Sequence, residues 1–232
     1  MTQLEATLQP RLEALPEARR TILQALKRAG SASAGSLAAE LSLTREATRQ
    51  QLLLLQQQGL IANRSQNQPG AGRPSLLFFL TENGEQLFPK NYDQLALLLL
   101  DTISEELGDA QLNKLMAAIS ERQVAQWQQQ LHSLSIKDKL LALKDIYFAN
   151  DPYTQVLEDK SGLWLIEQNC PYLNLAMQRP SLCSITVSTL TRLLGVKVKR
   201  EKRFQDGDGQ CAFRILKDQP VAKDWCFALE ET

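Results

Sequence analysis

The sequence predicts an α+β protein in three parts, and three observations lead there. Short amphipathic helices, punctuated by capping residues, fill the first sixty positions or so. A leucine-rich helical stretch follows at 91–131. The last third alternates apolar and polar residues around turn sequences, which is the pattern of strands, and it carries all four cysteines. The expected domains are 1–90, 91–134 and 135–232.

In the first part, ARRTILQALKRAG (18–30) sets Ile22, Leu23 and Leu26 on one helical face and stops at Gly30. Ser33 can cap AGSLAAELSL, whose apolar face is Leu37, Ala38 and Leu41. Thr44 can cap a third helix, TREATRQQLLLLQQQGL, which Gly59 closes. Three short helices joined by tight turns predict a helix-turn-helix unit. A polar Gly/Pro-rich tip at 65–74 then separates two β-capable runs, Leu60–Arg64 and Leu76–Thr81. A hairpin placed directly after a third helix predicts a wing.

Charge is unevenly spread, although the net charge is zero. Residues 1–80 hold nine Lys/Arg against five Asp/Glu, residues 81–170 seven against fourteen, and residues 171–232 ten against seven. A basic head before an acidic body suits contact with double-stranded DNA. In the third helix, Thr48, Leu52 and Leu55 are spaced toward the core, which turns Thr44, Arg45, Arg49 and Gln50 outward. Arginine pairs well with guanine and glutamine with adenine. Arg64 and Arg73 flank the hairpin loop, within reach of a phosphate or a narrow minor groove. The bland alternative is a solvated polar face.

The middle part carries an apolar stripe of Leu95, Leu98, Leu99, Ile103 and Leu107. Gly108-Asp109 breaks it, and Leu112, Leu115, Met116 and Ile119 begin another. Such a stripe must be covered, either by its own domain or by a second subunit; a homodimer is expected.

In the third part, strands at Gln155–Leu157 and Leu163–Ile166 flank a turn, and Ser181–Leu194 reads as a helix closed by Gly195. Val196–Phe204, the β-turn Asp206-Gly207-Asp208-Gly209 and Cys211–Leu216 read as a second hairpin. Cys170, Cys183 and Cys211 fall on three different elements, with Cys226 beyond them. No tight CxxC pair is present, so the residues alone leave metal binding, redox chemistry and plain buried thiols open.

No P-loop, GxGxxG, GxSxG or HExxH occurs, and His132 is the single histidine. An enzyme is not expected. No apolar run approaches the ~18 residues of a membrane span. The N-terminal twenty residues lack the apolar stretch of a secretory signal. The expectation is a cytoplasmic protein with no membrane partner.

Several of these residues also form a family pattern. Gly72-Arg73-Pro74, Leu80-Thr81, Gly84, Phe88-Pro89 and Tyr92 resemble the post-wing segment of an ArsR/DeoR-type winged-helix group. NCPYLNLAMQRPSLC and DGDGQCAFRI are similar to the sensor domain of SufR-type regulators within it. The resemblance runs from about residue 18 to about residue 216. It implies a homodimeric transcriptional regulator, a repressor of cluster-assembly genes. It also implies that Cys170, Cys183 and Cys211 hold an iron–sulfur cluster, 4Fe-4S or 2Fe-2S. One feature departs from the pattern: the further cysteine of cyanobacterial members is missing from GVKVKREKRF, where Val196-Lys197 and Arg203 stand. The fourth ligand is therefore open, with Cys226 one candidate. The competing expectations are zinc on three thiolates and His132, a small organic effector, or an interaction module that does not bind DNA.

Overall fold

The computed structural model describes residues 10–66, 75–147, 151–160, 162–222 and 224–230. The chain is mixed α+β with two antiparallel sheets, and it divides into two compact units, 1–91 and 92–232. No helix among the described residues is long and apolar enough to cross a membrane.

The first unit runs α1 (Pro10–Glu13), α2 (Glu17–Ala29), β1 (Ala32–Ser33), α3 (Ala34–Glu40), α4 (Arg45–Gln57), β2 (Ile61–Gln66), β3 (Ser75–Leu80) and α5 (Glu82–Glu85). Side-chain oxygens start three of these helices. Ser33 Oγ accepts the Ser36 N–H at 3.1 Å, Thr44 Oγ1 that of Ala47 at 3.2 Å, and Thr81 Oγ1 that of Gly84 at 3.1 Å. The core gathers Ile22, Leu23 and Leu26 of α2, Leu37 of α3, Leu52 and Leu55 of α4, Ile61 of β2 and Phe78 of β3. The hairpin β2–β3 is antiparallel, with Ile61 opposite Leu80 and Arg64 opposite Leu77. β1 adds a third strand to it, in the order β1-β3-β2. Its two residues lie in a connection with no strand signature, so sequence periodicity does not find them. The tip of the hairpin, including Arg73, lies outside the described residues.

Thr44→Ala removes the oxygen that satisfies a free N–H at the start of α4. It should destabilise this unit by about 1 kcal/mol, which denaturant unfolding followed by far-UV circular dichroism checks.

The second unit runs α6 (Tyr92–Leu107), α7 (Asp109–Leu131), α8 (Ile136–Tyr147), β4 (Gln155–Asp159), β5 (Gly162–Glu167), α9 (Leu173–Gln178), α10 (Ser184–Leu194), β6 (Val196–Lys202) and β7 (Cys211–Pro220). Gly108, at φ 82°, breaks α6 from α7. The strands form one antiparallel sheet in the order β4-β5-β7-β6. Its inner face presents Leu163 and Leu165 of β5, Val196 and Val198 of β6, and Phe213 and Ile215 of β7. These pack with Leu190, Leu193 and Leu194 of α10, Leu140 and Leu143 of α8, and Val124 and Leu131 of α7.

Three details differ from the sequence reading. The helix expected from Ser181 begins as a 3-10 turn, Pro180–Cys183, and becomes α-helical only at Ser184. The strand expected to reach Phe204 ends at Lys202, where a register shift after Arg200 bends it into a second 3-10 turn, Phe204–Asp206. α8 is an element the sequence reading does not include, although Ile136, Leu140 and Leu143 recur at helical spacing and the two leucines are fully buried.

α6 has no buried residue. Leu95, Leu98, Leu99 and Leu107 are all more than half exposed within one chain. In α7 the second stripe splits: Leu112 and Met116 turn inward, while Leu115 and Ile119 stay exposed.

Candidate functional site

Two places carry the residues singled out from sequence, one in each unit. In the first unit, the buried face of α4 is Thr48, Leu52 and Leu55. That rotation leaves Thr44, Arg45, Arg49 and Gln50 exposed. The side chains of Arg45, Arg49 and Gln50 make no hydrogen bond or ion pair with a described residue. They are free to meet a ligand. Gly59, at φ 68°, turns the chain from α4 into β2, where Arg64 is exposed with its guanidinium 5.6 Å from the Phe79 ring centre.

In the second unit, three elements bring three thiols to one small pocket of about 30 Å³. Cys170 lies in the loop after β5, Cys183 closes the 3-10 turn before α10, and Cys211 opens β7. All four cysteines of the chain are free thiols. Glu167, Thr186, Arg200 and Gln205 complete the polar lining. The sheet explains why these meet. Alternation along β5 puts Leu163, Leu165 and Glu167 on the inner face, and along β6 it puts Val196, Val198 and Arg200 there. Register then sets Glu167 opposite Cys211, and Arg200 opposite Phe213. Two ionisable side chains thus stand at the end of an otherwise apolar face.

Hydrogen bonds fix the walls. Arg200 Nη2 donates to the Cys183 carbonyl at 2.7 Å, and its Nη1 lies 3.9 Å from Cys211 Sγ. Arg200 also pairs with Glu230 at 2.7 Å. Gln205 Nε2 donates to the Ala176 carbonyl at 3.1 Å and to Cys183 Sγ at 3.2 Å. The carbonyl bond fixes which end of that amide is nitrogen, and Gln205 Oε1 is left buried with no partner. The buried Asp151 holds the Cys170 loop: its Oδ2 accepts the N–H groups of Gln168 at 2.7 Å and Asn169 at 3.1 Å.

Burial sets the protonation of the pocket. It pushes the Cys170 thiol up to about 11 and the Cys211 thiol upward as well. It also raises the Glu167 carboxyl to about 7, against the pull of Arg200. Burial therefore favours the protonated form at Cys170, Cys211 and Glu167.

Cys170, Cys183, Cys211 and Glu167 are the donors in this pocket that can bind a metal as anions. Among the described residues, no three His, Cys, Asp or Glu side chains close on one point tightly enough to hold a metal ion. Zinc, with Zn–S bonds of about 2.3 Å, gathers its sulfurs around one atom. An iron–sulfur cluster would spread its thiolate ligands over more than one iron, and so would ask less of a single meeting point. A space of about 30 Å³ is water-sized, so any larger group would enter only if the walls moved apart. The orphaned Gln205 Oε1 shows that the closed pocket leaves a polar group unsatisfied.

Cys226 does not line this pocket; its thiol is exposed and donates to the Asp224 carbonyl at 3.3 Å. His132 does not line it either, and bonds to Ser133 at the end of α7. Arg203 turns to Asp206 at 3.4 Å. Glu167, Arg200, Gln205 and Asp151 do not emerge as site residues from the sequence. For Glu167 and Arg200 a signal exists there: each continues an apolar alternation with a charge.

The pocket is tied to the helices before it. α9 lies between Cys170 and Cys183. Asn174 Nδ2 donates to Asp93 Oδ2 of α6 at 2.8 Å, and Arg179 Nε to Asp101 Oδ1 of α6 at 2.8 Å. α10, which follows directly on Cys183, is joined to α7 by buried Thr189, bonded to Ser120 and Gln123 at 3.0 Å each.

Comparison with protein-family models, with curated proteins and with solved structures finds no match to this chain.

Proposed function

We propose that this protein is a homodimeric, DNA-binding transcriptional repressor whose operator affinity is set by an iron–sulfur cluster on Cys170, Cys183 and Cys211. The observation that carries the reading is the convergence of those three thiols, from a loop, a 3-10 turn and a strand, on one pocket. The first unit is read as a winged helix-turn-helix. α4 is its recognition helix, with Thr44, Arg45, Arg49 and Gln50 toward the major groove, and β2–β3 is the wing, with Arg64 toward the backbone; Arg73, outside the described residues, is a second candidate contact. The leucines that α6 exposes are the surface a second copy covers.

When bound, a cluster would supply iron to Cys170, Cys183 and Cys211 and would be open to loss under oxidants or iron shortage. The chain's own residues carry that change outward. Cys170 and Cys183 bracket α9, and Asp93 and Asp101 tether α9 and its following residue to α6. Altered spacing of the two thiols therefore pulls on the helix assigned to the dimer face. Two recognition helices must sit about 34 Å apart to enter successive turns of a groove. A small shift at the dimer face changes that spacing and with it the affinity.

The test is anaerobic purification followed by electrophoretic mobility shift on the DNA upstream of the chain's own gene. The expected sample is brown, carries iron and acid-labile sulfide, and changes DNA affinity on exposure to air. Arg45→Ala and Arg49→Ala should each weaken binding by about 10- to 100-fold, and Cys183→Ser should abolish the colour. A colourless sample carrying zinc, or a shift indifferent to both arginines, refutes the proposal.

A further inference from the structure

We propose that Glu167 is the fourth ligand, so that one carboxylate joins the three thiolates in a Cys3Glu donor set. The inference rests on the cluster reading above and names the donor that the thiol count leaves missing.

Four observations lead to Glu167. First, it is on the inner face of β5, in register with Cys211 across the sheet, and neighbours in that relation hold their side chains within about 5 Å. Second, it lines the same pocket as all three cysteines. Third, its carboxylate has no hydrogen bond or ion pair with any described residue. The nearby cation, Arg200, is engaged by Glu230, the Cys183 carbonyl and Cys211. Glu167 therefore offers an oxygen pair that no other side chain occupies. Fourth, the other candidates are elsewhere: Cys226 and His132 do not line the pocket.

Thr186 offers only a neutral hydroxyl, and the other side-chain oxygen in the pocket is Gln205 Oε1. It is a neutral amide, and its own nitrogen is held by Ala176 and Cys183. A carboxylate brings a charge as well as a lone pair, so it is the stronger donor to iron. On loading, each thiol and the carboxyl give their protons to solvent and bind as anions. An oxygen donor among thiolates is the harder one for iron, so Glu167 would be the most easily displaced of the four ligands.

The test compares the full-length chain with Glu167→Gln, Glu167→Cys and Gln205→Leu, each reconstituted anaerobically with ferrous iron and sulfide. Thermal unfolding of the metal-free proteins identifies any variant that fails to fold. Iron and sulfide content, the rate of iron loss to a chelator, and the Mössbauer spectrum are then read. Glu167→Gln should lose iron at least about tenfold faster than wild type, since even outer partners of metal ligands change affinity by 10- to 100-fold. Glu167→Cys should retain iron and lose the distinct oxygen-bound iron signal of the wild type. Gln205→Leu should keep that signal. Glu167→Gln with wild-type iron loss and spectrum overturns the ligand assignment and leaves the cluster reading standing. The assignment to Glu167 fails equally if Gln205→Leu alone loses the signal. A wild-type chain that retains no iron and sulfide refutes both together.

Discussion

Gly84→Ala is expected to destabilise the first unit by about 3–5 kcal/mol, among the larger effects a single methyl group can produce. The reason is space, since Gly84 does not have a positive φ. A Cβ there would fall deep inside the contact distance of the Leu60 carbonyl oxygen, and 3.3 Å from Leu80 Cδ2. That carbonyl cannot easily retreat. It accepts the Thr81 N–H at 3.1 Å, while Thr81 Oγ1 donates to the Gly59 carbonyl at 2.6 Å and accepts the Gly84 N–H at 3.1 Å. Leu60 N–H in turn reaches back to the Leu55 carbonyl at 3.0 Å, in the last turns of α4. One added methyl therefore pushes on the segment that joins α4, β2 and α5. Gly195→Ala is the contrasting control: its φ is 72°, in the left-handed region, but nothing lies within 4 Å of the added Cβ. It should cost only about 1–2 kcal/mol. Amide hydrogen exchange at Ile22, Leu23 and Leu52 reads the first unit directly, and lost protection at these core amides is the expected result. Unchanged protection in Gly84→Ala would show that α5 shifts freely, contrary to the packing described.

The parts of the fold that sequence made legible are those where one residue performs one local task. Ser33 and Thr44 start helices because each places an oxygen where a free N–H needs it. Gly108 ends α6, and the turn at 206–209 returns β6 to β7. The orientation of α4 also follows from spacing, since Thr48, Leu52 and Leu55 are the residues the core takes. Three cysteines could be singled out as residue types, but nothing local says that they meet. Their convergence comes from strand register and from the packing of α10 on the sheet, which are long-range properties. Glu167 and Arg200 stand between these cases. Their positions extend an alternation visible in the sequence, yet a charge at the end of a strand reads as an ordinary exit to solvent. Only the closed end of the sheet makes it a buried pair of positions. Gln205 carries no sequence signal at all, because its place depends on the 3-10 turn that follows the bend in β6. α8 has a readable pattern, but a short one that adjoins a stretch of mixed character and is masked by it.

Arg200→Ala is expected to destabilise the second unit by about 3–5 kcal/mol, the range for breaking a buried ion pair from one side. The Arg200 side chain is 3% exposed and that of Glu230 15%, so truncation strands a carboxylate in a place with little water. It also strips the Cys183 carbonyl of its 2.7 Å donor and removes a guanidinium stacked 5.1 Å from the Phe213 ring centre. The size of the effect measures an unpaired charge more than an attractive one. It follows that Arg200→Met with Glu230→Met in the same chain should recover at least about half of the loss, since an apolar pair leaves no charge behind. All three tryptophans, Trp127, Trp164 and Trp225, lie in the second unit, so their fluorescence during denaturant unfolding reports it selectively. If the double variant is as unstable as the single one, the arginine acts through the Cys183 carbonyl and Phe213, and Glu230 is a bystander. If it recovers, the closing segment and the thiol pocket share one cation. Ala228 and Glu230 are held to Ser188 and Ser184 of α10 by bonds of 3.1 and 2.9 Å, so that segment already rests on the helix that follows directly on Cys183. A change at Cys183 and a change at the end of the chain would then be felt by the same guanidinium.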